Sequence, residues 1–117
     1  MDSHELFDTL VSKCPALEKV CETWGDQHML TIAMEENAEL IQAISKIKRY
    51  GFDPINASHL DEEVADVLIC ICELFMMDYL DAYEIAKIIE RKIERSIQRT
   101  QDHIKELEEE AKCDGSF

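Results

Sequence analysis

The segment from Leu60 to Met77 constrains the fold more than any other. Read as an α-helix at about 100° per residue, it spreads Val64, Val67, Leu68, Ile69, Ile71, Leu74, Phe75, Met76 and Met77 almost all round its axis. A helix apolar on nearly every side is a central one, covered by its neighbours or by a second subunit. Two acids interrupt that surface, Glu63 between Cys70 and Leu74 and Asp66 beside Met77. A buried carboxylate without a partner costs several kcal/mol or takes up a proton, so both acids require an explanation.

The helix expected from Leu30 to Ile47 repeats the anomaly. Leu30, Ile32, Ala33, Met34, Leu40, Ile41, Ala43, Ile44 and Ile47 fill one broad face, Glu36 projects inside it and Glu39 from its edge. Residues three apart are neighbours on a helix surface, so Glu36/Glu39 and Glu63/Asp66 each deliver two carboxylates to one spot. Two such helices side by side make an all-oxygen cage suited to a hard cation. Magnesium is the expected one, with manganese as a substitute, because magnesium takes its remaining ligands from water and substrate phosphates. The plainer account is salt bridging or a helix N-terminus; it applies most directly to Glu62 and Glu63, in the first turn if the helix starts at Ser58, and to Glu35 and Glu73 taken singly.

Other metal chemistries fail on the sequence. Di-iron bundles use Glu-x-x-His, and none of His4, His28, His59 and His103 has a Glu three residues before it. Zinc lacks C-x-x-C and H-E-x-x-H, and Cys70 and Cys72 point in different directions on one helix.

With these residues in view, the stretch WGDQHMLTIAMEENAELIQAISKIKRYG followed by HLDEEVADVLICICEL resembles the MazG-type all-α nucleoside triphosphate pyrophosphohydrolases, whose signature is E-E-x-x-E and then E-x-x-D on the next long helix. Glu35-Glu36-Asn37-Ala38-Glu39 and Glu63-Val64-Ala65-Asp66 match the two halves, within a motif region of about residues 24 to 100. The resemblance implies magnesium-dependent cleavage between the α- and β-phosphates with release of pyrophosphate, by a homodimer or homotetramer. Two alternatives remain: a phosphoribosyl-ATP pyrophosphatase of the same superfamily, and a non-catalytic helical oligomerisation module.

Composition is consistent with this reading. A chain of 117 residues, 46% hydrophobic with three Gly and two Pro, is expected to form one all-α domain, a bundle of four to five helices with its core completed by oligomerisation. The formal charge of −14 argues against nucleic acid or an anionic membrane as partner. The apolar run from Val64 to Met77 is too short and too acidic to span a bilayer, and no secretory signal is recognisable. Five cysteines without framework spacing fit reduced thiols in the cytoplasm.

Four main helices are expected. A first segment, about His4 to Lys13, leads through Pro15 into a short helix ending near Glu22, and Trp24-Gly25 breaks it. Asp26 caps the long helix that stops at Gly51. Ser58 with Asp61 opens the next, and Asp81 with Glu84 opens the last in capping-box fashion. That last helix carries Ile85, Ile89, Ile93, Ile97, Ile104 and Leu107, a stripe pointing to a partner chain, before a frayed tail at Glu108 to Glu110 and Asp114 to Phe117.

A polyanionic substrate needs cations. Lys46 lies two turns from Glu39, about 10 Å along the axis, which suits an outer phosphate. Family relatives often carry Lys, then Asn four later and Arg three after that; here Lys92, Ser96 and Arg99 keep the spacing with Ser for Asn, and Arg95 is an equal candidate. Lys87, Arg91, Arg95 and Arg99 also form a period-four row of the kind that pairs with Glu90 and Glu94 in solvent. Gln27 matches a family position and is a candidate for base or sugar contact, with Trp24, His28, Phe75 and Tyr79 as stacking surfaces.

Overall fold

The computed structural model describes residues 1–114. It is all-α, with no strand among the described residues: α1 (Ser3–Lys13), a 3-10 turn (Cys14–Leu17), α2 (Glu18–Trp24), α3 (Asp26–Tyr50), α4 (Pro54–Met76) and α5 (Ala82–Asp114). The chain divides into two compact units, one formed by Met1–Leu80 and the other beginning at Asp81.

In the first unit, a reciprocal capping box starts α1. The Asp2 carboxylate accepts the Glu5 N–H at 2.9 Å, and Glu5 Oε2 accepts the Asp2 N–H at 3.1 Å, satisfying two of the donors that a helix start leaves open. Pro15 holds the chain in the 3-10 turn. Gly25 at φ 83° and Gly51 at φ 98° end α2 and α3, in the left-handed region where a side chain is strained.

Between Gly51 and Pro54 the connection is short, so α3 and α4 form a helical hairpin, and they make the most extensive contact in the fold. The start of α4 corrects the sequence reading. Asp53, not Ser58, is the cap: its Oδ1 accepts the Asn56 N–H at 2.7 Å, with Pro54 in the first turn. Glu62 and Glu63 therefore sit in the third turn, where the positive end of the helix dipole no longer accounts for them. Gly25 rather than Asp26 holds the cap position of α3. The far end of α4 is tied back, since Tyr79 Oη donates to Asp26 Oδ2 at 2.9 Å.

The core of this unit is thin. Cys21, Met29, Ala43, Cys70 and Cys72 are buried, and no large side chain is fully enclosed. The broad apolar face of α3 is only partly covered: Met34, Ile41 and Ile44 are exposed, as are Val64, Ile69 and Ile71 on α4. None of the described helices is long and apolar enough to cross a membrane.

In the second unit, Asp81 caps α5 by accepting the Tyr83 and Glu84 N–H groups at 3.0 and 3.1 Å. The expected capping box is half made, because Glu84 Oε1 turns to Lys87 Nζ at 3.4 Å. Helix runs on through Glu108–Glu110 to Asp114, where fraying was expected; the last three residues of the expected tail lie outside the described ones. Ile89, Ile93 and Ile97 are each more than half exposed.

Candidate metal centre

The hairpin brings the four acids together. Glu36 and Glu39 from α3 and Glu63 and Asp66 from α4 each offer one carboxylate oxygen, and these four oxygens all lie within 4.8 Å of one another. The i, i+3 spacing on each helix does this once the helices pair side by side. Glu63 is 6% exposed, Glu36 and Asp66 are half-buried and Glu39 is exposed, so the cluster opens to solvent on the Glu39 side.

The four carboxyls crowd one another. Burial, then Asp66 and Glu39, push the Glu36 carboxyl up to about 7. Burial and Glu39 raise Glu63 as well, and the nearby His59 partly opposes them. His59 Nε2 stands 3.2 Å from Glu63 Oε1. That leaves Glu63 Oε2 buried with no hydrogen-bond partner, and Glu36 Oε2 is in the same state. Buried oxygens of this kind are rare in folded proteins and call for an explanation. An all-oxygen donor set with two unsatisfied members fits a hard divalent cation in both chemistry and charge.

The remaining sequence candidates are spread more widely. Lys46 reaches an open pocket of about 600 Å³, shared with the first turns of α4 through Asn56, Ser58, His59 and Glu62. Gln27 is exposed in the first turn of α3, while Lys92 and Arg95 are exposed on α5 in the second unit. Trp24 and His28 stack, with ring centroids 5.0 Å apart. Phe75 instead lines an apolar groove with α1, and Tyr79 is committed to Asp26.

Sequence reasoning passed over His59 after rejecting Glu-x-x-His. The usable signal was its position four residues before Glu63, one helical turn away. Glu73 is also buried and its carboxyl is raised by that burial, but it lies outside the cluster.

The fold and the cluster define an all-α protein in which a helical hairpin sets E-x-x-E on one helix against E-x-x-D on the next. Residues 25–104 match the MazG nucleotide pyrophosphohydrolase domain, and the chain belongs to that family. The matched span takes in α3, α4, all four acids and most of α5. No curated protein and no solved structure matches the chain.

Proposed function

We propose that the protein hydrolyses a nucleoside or deoxynucleoside triphosphate to the monophosphate and pyrophosphate, with magnesium or manganese held by Glu36, Glu39, Glu63 and Asp66. The observation that carries this reading is the meeting of four carboxylates with two orphaned buried oxygens. Family membership supports a nucleotide as substrate and a pyrophosphohydrolase reaction.

Held by Glu36, Glu39, Glu63 and Asp66, magnesium would supply charge to bind the phosphates and would lower the pKa of an attacking water. The chain's own residues do the rest. Glu35 or Glu62, both exposed beside the cluster in sequence, accepts a proton from that water. Lys46 meets the outer phosphates, Lys92 and Arg95 offset the charge on the departing pyrophosphate, and Gln27 contacts base or sugar. His59 stands against Glu63 Oε1 and would hold that carboxylate in place for a cation. A homodimer or homotetramer is the working assembly, because apolar residues stay open on α3, α4 and α5.

The test is a panel of canonical and damaged NTPs and dNTPs with magnesium, scored for pyrophosphate against orthophosphate. Monophosphate and pyrophosphate are expected. Orthophosphate and a diphosphate as first products, or no turnover of any member, reject the reading.

A further inference from the structure

The segment before residue 25 lies outside the matched family span, and it carries a cysteine that meets α4. Cys14, half-buried, opens the 3-10 turn, and Cys72 is buried near the end of α4. Both line one apolar groove of about 520 Å³, walled by Phe7, Leu10 and Val11 of α1 and by Leu68 and Phe75 of α4. The 3-10 turn that Cys14 opens packs on α4, and burial first, then the Cys14 side chain, push the Cys72 thiol up to about 12. The other buried thiols, Cys21 and Cys70, do not line this groove. Cys21 Sγ donates to the Glu73 carbonyl at 3.8 Å, and burial with the charges of Glu73, Glu36 and Asp66 raises Cys70 to about 11.

We propose that Cys14 and Cys72 are a peroxide-responsive pair whose disulfide fastens the N-terminal segment to α4. Cys14 is the attacking sulfur because it is the more accessible of the two and its partner's thiol is held protonated by burial. Cys14 gives its proton to solvent and its thiolate takes one oxygen of hydrogen peroxide; the O–O bond breaks, the other oxygen leaves as hydroxide and takes up that proton to become water, and Cys14 becomes a sulfenic acid. Cys72 sulfur then displaces that oxygen. The S–S bond forms, the S–O bond breaks, and the Cys72 proton departs with the second water. Two thiols and one peroxide give one disulfide and two waters, with both sulfurs oxidised and the peroxide reduced.

Cys72 lies about 180° around α4 from Glu63. The staple therefore forms on the side of α4 away from that carboxylate, and its effect falls on how firmly α1 and the 3-10 turn are held.

The test uses the full chain carrying Cys113→Ser, which prevents crosslinks through the last helix. Stoichiometric peroxide is expected to remove two hydrogens from the intact mass, to yield a peptide linking Cys14 to Cys72, and to raise Tm on the order of 10 °C, because the bridge closes a long loop of the unfolded chain. Dithiothreitol reverses all three. Cys14→Ser keeps the fold and loses the linkage and the Tm shift; Cys72→Ala serves as a second variant. The proposal is overturned if peroxide only adds oxygen to Cys14 while Cys72 stays alkylatable in the unfolded chain. It is equally overturned if the Tm shift survives in Cys14→Ser. No nucleotide enters the readout, so the result stands apart from the proposed hydrolysis.

Discussion

Glu36 shows how far single residues could be read from the sequence. Its place inside an apolar face follows from angles alone, and so does its pairing with Glu39. What the sequence could not supply is which of its oxygens stays unsatisfied, because that depends on how closely α4 approaches. The consequence is a pH dependence with a definite sign. Its carboxyl has a folded-state pKa of about 7 against an ordinary 4.5, so the native state holds the proton more tightly than the unfolded chain. The associated stability is intact below about pH 4.5 and is lost as pH rises through about 7. Glu63 and Glu73 are shifted the same way by burial and add to the slope. Metal-free protein should therefore melt lower at about pH 8 than at about pH 5. Millimolar magnesium should restore Tm at the higher pH, because it binds only the folded state. In Glu36→Gln the slope should be shallower and the magnesium response lost, along with turnover. Identical pH profiles for the two proteins, measured by thermal melts, would place Glu36 in solvent and remove the case for a cage. Asp66→Asn should likewise abolish pyrophosphate release while the protein stays folded, as judged by circular dichroism.

Helix existence was legible in the spacing of apolar residues; helix starts were less so, and α4 shows why. Ser58 followed by Asp61 carries the letters of a cap, but Asp53-Pro54 offers a better one, with a carboxylate for the Asn56 N–H and a proline that needs no donor in the first turn. Asp53→Ala should cost about 1 kcal/mol in chemical denaturation, and Ser58→Ala, at an exposed position inside the helix, should cost almost nothing. Equal losses would return the start to Ser58. The other end of α4 stores a small strain that no pattern of apolar residues reveals. Asp78 follows the helix at φ 63°, with its N–H bonded to the Phe75 carbonyl at 3.1 Å. Glycine adopts that conformation without a Cβ penalty. Asp78→Gly should therefore leave stability unchanged or raise it by up to about 1 kcal/mol, whereas Asp78→Val should lower it clearly. The packing of α3 on α4 tolerates less. Ala43 is 1% exposed, two turns beyond Glu36, and Ala43→Leu should destabilise by about 1–3 kcal/mol.

At the scale of the whole molecule, the sequence pointed to excess apolar surface on the helix from Leu60 to Met77 and on the isoleucine stripe of the last helix, but not on α3. Met34 is 74% exposed and Ile41 68% on α3, although both belong to the face expected to be covered. On α4, Val64, Ile69 and Ile71 are open too, and on α5 Ile89, Ile93 and Ile97 are each more than half exposed. Contiguous apolar patches beyond a few hundred Å² normally mark an interface, and closed two-fold pairing is the commonest way for identical chains to cover them. The acidic balance, −14 overall, opposes non-specific association, so the contact must be built from these apolar stripes rather than from charge. Sedimentation at micromolar concentration should accordingly show no stable monomer. Ile41→Asp tests the open side of α3, and Ile89→Asp tests the α5 stripe. Each places a charge on a surface that would be buried only in the assembly, so each should shift the protein to monomer and lower pyrophosphate release together. A monodisperse monomer with full activity would mean that these stripes serve no contact between copies, and that the carboxylate cluster of a single chain is sufficient for turnover.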